Sequence, residues 1–82
     1  MMEDRYVEFD LPNGVGGLAT MMASKGIQQR IKELSSLHNF TYKAHQKNYK
    51  LRVFFDTEEN ITLFFLIWQP SKYDKMPVLK YV

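Results

Sequence analysis

The chain has 82 residues, a formal net charge of +2 and no cysteine. Its length predicts one domain, residues 1–82, with a thin core, and the lack of cysteine excludes disulfides, thiolate metal sites and thiol catalysis. No apolar run approaches the roughly 18 residues that span a bilayer, and the acidic first ten residues lack the apolar stretch of a secretory signal. We therefore expect a cytoplasmic protein that makes no contact with a membrane.

The first strand and the first helix are indicated by the spacing of apolar residues. Residues 5–11 alternate between two faces, which predicts a half-buried strand that ends at Pro12. Residues 18–37 carry a stripe of small and apolar side chains at every third or fourth position, namely Ala19, Ala23, Ile27, Ile31 and Leu34. Gly26 interrupts this stripe at a cost of about 1 kcal/mol relative to alanine. The sequence therefore predicts either one long helix or two helices that meet at residues 24–26.

Three strands are predicted after the helical region. Residues 40–46 and 49–56 alternate in polarity on either side of a tight turn. Residues 61–69 are apolar on both faces, which is typical of a central strand, and residues 57–60 form a polar turn before them. Residues 78–82 could add a short edge strand. The predicted order is β-α-β-β-β.

This order predicts an α+β fold with two layers. The helix, continuous or broken near Gly26, packs on an antiparallel sheet. A cystatin-like arrangement, in which a curved sheet wraps around one helix, fits the same element order. Fold alone would not determine the function in either case.

Several polar groups are interpreted as structural rather than functional. The glycine-rich residues 13–17 match neither the dinucleotide fingerprint nor the P-loop, so they are read as a turn. His38 and His45 are seven residues apart with no acid beside them, which is not a metal-ligand spacing. A group of acids is expected at a solvated hairpin tip: Asp56, Glu58 and Glu59. We expect no metal site and no cofactor.

The strongest functional signal is a basic segment followed by an aromatic one. Residues 25–52 carry seven bases and one acid, whereas residues 1–24 carry four acids and one base. The basic side chains expected on the sheet are Lys43, His45, Lys47, Lys50 and Arg52. Apolar side chains that could share a sheet face with Lys50 and Arg52 are Phe54, Phe64, Leu66 and Trp68.

Two functions fit this combination, and the sequence leaves both open. Cations that neutralise phosphates beside rings that stack on bases are typical of proteins that bind RNA or single-stranded DNA. Exposed aromatic residues on a small domain also mark protein interfaces, and lysine on an edge strand serves to block aggregation. The leading interpretation is a non-catalytic interaction protein that binds a protein partner or itself through Phe54, Phe64, Leu66 and Trp68. Nucleic-acid binding through the basic residues is the alternative.

The sequence also resembles the RelE/ParE toxin superfamily in outline over residues 5–76. The resemblance is carried by a first strand like Tyr6–Phe9, a helix like Gln28–Leu34, and a strand pair like Tyr49–Phe55 and Ile61–Phe65. It implies an mRNA-cleaving enzyme. In RelE-like members a strand arginine and other basic groups hold mRNA phosphate, and a tyrosine near the C-terminus assists cleavage. Those roles would fall on Arg52, on Lys43 or Lys50, and on Tyr73.

Overall fold

The computed structural model describes residues 1–71 and 75–82. In these ranges the elements are β1 (Arg5–Asp10), α1 (Leu18–His38), β2 (Tyr42–Lys47), β3 (Lys50–Phe55), α2 (Glu58–Ile67) and β4 (Val78–Tyr81). One turn of 3-10 helix, Val15–Gly17, precedes α1. The predicted α+β class, with helix packed on an antiparallel sheet, is confirmed. None of the helices in the described ranges is long and apolar enough to cross a membrane.

The sheet is antiparallel, and its strands lie in the order β2-β3-β1-β4. The two central strands are therefore β1 and β3, while β2 and β4 form the edges. The register places Arg52 of β3 between Glu8 of β1 and His45 of β2. The element order, β-α-β-β-α-β, is that of the ferredoxin-like or split β-α-β topology. This topology supports many functions and identifies none.

The first helix, α1, is continuous over 21 residues, so the two-helix alternative is wrong. It starts after Gly17, whose φ of 74° is in the left-handed region that favours glycine, and it ends at His38, followed by Asn39 with a φ of 56°. Gly26 lies inside the helix on its exposed side. Ile27 and Ile31 face the sheet and are almost completely buried, as the stripe predicted.

The second helix corrects the sequence-based prediction of a third strand. Residues 61–69 were expected to form a central strand after a polar turn, but Ile61 and the six residues after it belong to α2. Thr57 caps this helix, because its side-chain oxygen accepts a hydrogen bond from the backbone N–H of Asn60 at 3.2 Å. Glu58 and Glu59 occupy the first turn, where negative charge complements the helix dipole. They therefore lie at a helix start and not at a hairpin tip.

The core fills the space between the two helices and one face of the sheet. Strand residues contribute Val7, Phe9, Leu51, Val53 and Phe55, all 0 or 1 % exposed. Phe64 of α2 is the central ring, since its centroid lies 5.0 Å from that of Phe55, 5.2 Å from that of Trp68 and 6.1 Å from that of Phe9. The two helices thus cover one face of the sheet, and we call the face that neither helix covers the open face.

Candidate functional site

The open face of the sheet is the candidate site, and its composition follows from strand alternation and register. Because Leu51, Val53 and Phe55 point into the core, the intervening residues of β3 point away from the helices. Their cross-strand partners share that face. The side chains concerned are Lys43, His45 and Lys47 of β2, Lys50, Arg52 and Phe54 of β3, Tyr6, Glu8 and Asp10 of β1, and Val78 and Lys80 of β4.

All five predicted basic residues lie together on this face. The register opposes His45 to Arg52, and Lys47 to Lys50. The residue across from Lys43 is Phe54. The β2 side chains are exposed, whereas Arg52 is about one third exposed. Alternation along two strands paired in this register therefore places these five residues on one side of the sheet.

Arg52 lies at the centre of the open face and is held there by two residues of β1. Its guanidinium carbon is 5.0 Å from the centroid of the Tyr6 ring, a cation–π distance. Its Nε lies 3.5 Å from Oε2 of Glu8, and the side chain of Glu8 is only 10 % exposed. This Nε is buried and has no hydrogen-bond partner among the described residues. The planar group therefore covers the tyrosine ring and remains partly accessible from solvent.

A second ion pair joins Lys50 to Asp10 across the same two strands. Nζ of Lys50 donates a hydrogen bond to Oδ1 of Asp10. This hydrogen bond lowers the pKa of Asp10 and raises the pKa of Lys50 from their ordinary values. Both groups stay charged near neutral pH. Each acid that β1 contributes to the open face is thus matched by a cation of β3, and the lysines of β2 and β4 add an excess of positive charge.

Phe54 supplies an accessible aromatic surface beside this charged centre. It is half-buried, and its ring centroid lies 5.3 Å from that of Tyr6 and 6.0 Å from that of His45. A cavity of about 200 Å³ opens next to it, lined by Met1, Glu3, Lys43, His45 and Phe54. The site therefore combines a ring, two basic side chains and one carboxylate around a small concave surface.

The apolar residues predicted to share one face of the sheet do not share it. Phe64, Leu66 and Trp68 belong to the α2 region instead of a strand, so they cannot share a sheet face with Phe54. Phe64 is fully buried, and Trp68 is 4 % exposed with the guanidinium of Arg30 lying 4.3 Å from its ring centroid. Leu66 is 78 % exposed on the outer side of α2. The predicted placement was wrong because it depended on reading residues 61–69 as a strand, whereas Ile61 and the six residues after it are helical.

Tyr6 is the functional candidate that the sequence analysis missed. Its alternation with Val7 placed it on the polar side of β1, together with Glu8. The signal needed to select it was the pairing of β1 with β3, which brings Tyr6 against Phe54 and under Arg52. Strand pairing across this distance in sequence cannot be read from periodicity.

Asp56 has a structural role at the start of α2. Its carboxylate accepts hydrogen bonds from Nδ2 of Asn60 at 2.6 Å and from the hydroxyl of Thr41 at 2.7 Å. These bonds lower the pKa of Asp56 to about 2. The carboxylate joins the end of β3 to α2 and to the segment before β2. Its neighbours Glu58 and Glu59 are exposed on the helix.

Some of the residues that the RelE/ParE resemblance names lie on the open face, and one lies outside the described residues. Arg52, Lys43 and Lys50 lie on the open face, while Tyr73 is outside the described residues. Ile61–Phe65, which resembled a strand of that superfamily, is helical. The resemblance itself, and the ribonuclease activity that it implies, stay predictions.

Neither a metal-ligand geometry nor similarity to known proteins identifies a function for the described residues. Over residues 1–71 and 75–82, no group of three histidine, aspartate or glutamate side chains is arranged to hold a metal ion. His38 is exposed at the end of α1, on a different element from His45. The sequence matches no protein-family model, and comparison with curated proteins and with solved structures finds no significant match.

Proposed function

We propose that this protein binds single-stranded nucleic acid on the open face of its sheet. The observation that supports the proposal is the register of the four strands, which collects five lysine and arginine side chains and two aromatic rings on one surface. The cations are Lys43, Lys47, Lys50, Arg52 and Lys80, and the rings are Tyr6 and Phe54. Proteins that bind single strands combine a basic surface with rings on which bases stack.

The charge distribution favours phosphate as the counterpart. The two acids of the open face, Glu8 and Asp10, lie against Arg52 and Lys50. In the described part of the chain, Lys43, Lys47 and Lys80 have no such carboxylate within ion-pair distance. These lysines lie on both edge strands, on either side of the aromatic centre. A backbone crossing the sheet would meet positive charge at each side and rings in the middle.

The aromatic centre is suited to stacking rather than to burying a protein side chain. Phe54 is half-buried and keeps part of its ring accessible, while Tyr6 is only 9 % exposed and lies beneath the guanidinium of Arg52. Bases stack on arginine planes as well as on aromatic rings. A protein interface of standard size needs a desolvated apolar centre, and the apolar side chains once expected to supply it, Phe64 and Trp68, lie in the core.

The proposal is tested by fluorescence anisotropy with labelled U-rich RNA and T-rich DNA strands of about ten nucleotides. Binding should weaken steeply between about 50 and 200 mM salt, because released counterions drive the association. Changing both Lys43 and Lys47 to Gln should reduce the slope of log affinity against log salt by about 1.4, since each phosphate contact to a single strand contributes about 0.7.

The matched control changes Lys25 and Lys32 to Gln, since both lysines are exposed on α1 on the opposite side of the sheet. It removes the same charge and should leave the slope unchanged. Absence of binding at low salt, or binding that does not respond to salt, would contradict the proposal. An equal loss in both double variants would indicate attraction by net charge alone, with no role for the open face.

A second candidate is protein binding or self-association at the β4 edge. All four residues of β4 are exposed, and three of them are apolar or aromatic: Val78, Leu79 and Tyr81. An exposed edge strand can accept another strand through its outward backbone groups. Sedimentation equilibrium tests self-association. A dimer that is lost in Tyr81→Lys would support self-association, whereas a monomer at all concentrations would exclude self-association.

A further inference from the structure

We infer that the cavity beside Phe54 is a base subsite that selects guanine. The inference rests on the proposed function, because it assumes that a single strand crosses the open face. It concerns the residues that line the cavity, above all the carboxylate of Glu3. The volume of about 200 Å³ suits one small planar group and not a folded partner.

Glu3 is brought to the cavity by the segment that precedes β1. The backbone N–H of Met2 donates a hydrogen bond to the carbonyl oxygen of Phe55 at 3.1 Å, so this segment runs beside the end of β3. Glu3 is exposed and lines the cavity together with Phe54, Lys43 and His45. Among the described residues, no cation lies within ion-pair distance of Glu3, although it shares the cavity with two basic side chains.

The walls of the cavity match the parts of a nucleotide. Phe54 and Met1 give apolar surface against which a base can stack, since aromatic rings and thioethers both pack well on π-systems. Lys43 and His45 lie on β2, on the side where the proposed backbone would pass. The carboxylate of Glu3 is then the group left to meet the hydrogen-bonding edge of the base.

The donor and acceptor pattern of the bases decides which one fits. An ionised carboxylate has two oxygens and can only accept hydrogen bonds. Guanine presents two adjacent donors on its Watson–Crick edge, the ring N1–H and the exocyclic N2 amino group. Adenine and cytosine place an acceptor beside their amino group, and uracil and thymine place acceptors on both sides of their single N–H. Single-stranded bases are read on this edge, so guanine alone can pair with both oxygens.

The test compares three labelled RNA octamers that differ only at one central position, which carries guanine, inosine or uracil in a run of uracils. Inosine lacks the N2 amino group and retains N1–H. The native protein should bind the guanine strand about tenfold more tightly than the uracil strand, with inosine in between. The same three strands in DNA show whether the sugar matters.

Glu3→Gln should lower the affinity for the guanine strand to that for the all-uracil strand, since an amide offers only one acceptor oxygen and its charge is gone. Glu59→Gln is the control, because Glu59 is exposed on α2 and lies away from the open face. It should retain the tenfold preference.

Equal binding of all three strands by the native protein would overturn the guanine subsite and leave the proposed function standing. A guanine preference that survives Glu3→Gln would also overturn it, since another group would then read the base. Absence of binding to every strand would instead contradict the proposed function itself.

Discussion

Arg52 lies at the centre of the open face and contacts two residues of β1, one by a cation–π interaction and one by an ion pair. Its guanidinium lies over Tyr6, while Glu8 lies beside its Nε. A planar cation held in this way can stack with a base and attract a phosphate at the same time. A flexible ammonium group can do only the second.

Arg52→Lys should therefore weaken nucleic-acid binding although it conserves charge. We expect about a fivefold loss in affinity, at the low end of what one stacking contact contributes, with the salt slope unchanged. Anisotropy titrations at several salt concentrations measure both quantities. The control is Lys50→Arg, which keeps the charge at a neighbouring position of the same strand and should bind as the native protein does. Native affinity in Arg52→Lys would show that the guanidinium plane is not used.

The lowered pKa of Asp56 predicts that the free energy of unfolding depends on pH. Its pKa is lowered from 3.8 to about 2 in the folded protein, chiefly by the hydrogen bond from Asn60. A depressed carboxylate pKa stabilises the fold above the unfolded pKa, and this contribution is lost as pH falls from about 4 towards 2. Solvent screening at this partly exposed site reduces the contribution to about 1 kcal/mol.

Urea unfolding followed by the fluorescence of Trp68, the single tryptophan, measures this effect between pH 5 and pH 2. The native protein should lose about 1 kcal/mol more of its unfolding free energy over that range than Asp56→Asn does. Glu59→Gln, which removes an exposed carboxylate from the next turn, should follow the native curve. Parallel curves for the native protein and Asp56→Asn would mean that the hydrogen bonds to Asp56 contribute nothing.

At the scale of elements, α2 is the helix that the pattern of apolar residues wrongly predicted to be a strand. β1, β3 and α1 were predicted because each has a clear period of two or of 3.6 residues over its length. The apolar run from Ile61 to Trp68 is too short and too uniformly apolar to show either period. The deciding signal was local and polar: Thr57 as N-cap with acids directly after it.

Thr57→Ala tests the importance of that cap. The substitution removes the acceptor for the Asn60 N–H, and we expect the unfolding free energy to fall by about 1 kcal/mol. Thr57→Ser, which keeps the acceptor oxygen, should be nearly neutral. Both are measured by urea denaturation at neutral pH. A loss in Thr57→Ser as large as that in Thr57→Ala would assign the effect to the methyl group of threonine and not to the cap.

Gly26 is a position in α1 at which a substitution should stabilise the protein. A Cβ added there meets no atom within 4 Å, and its backbone is that of an ordinary helix interior. Gly26→Ala should therefore raise the unfolding free energy by about 0.5–1 kcal/mol. Gly17→Ala is the contrasting variant. It also meets open space, but its φ of 74° strains an L-residue, so it should destabilise the protein by about 1 kcal/mol. Thermal unfolding of both variants distinguishes helix propensity from backbone strain.

At the scale of the whole molecule, the candidate site was predictable in one half and not in the other. The basic half lies on two strands joined by a tight turn, so local alternation placed it correctly. The other half depends on β1 pairing with β3, a contact between distant parts of the chain. Tyr6 and Glu8 acquire their relation to Arg52 only through that pairing, which no local pattern specifies.

The central position of β1 also determines when this surface can exist. β1 precedes both of its partner strands in the chain. It pairs with β3 on one side and with β4 on the other, where Arg5 lies opposite Tyr81. During synthesis Val7 and Phe9 therefore lack their strand partners until β3 and then β4 have emerged from the ribosome. The β2–β3 hairpin can form early, but without β1 it has neither the tyrosine under Arg52 nor the carboxylate beside it. The proposed binding face can therefore form only after β3 has been synthesised and has paired with β1.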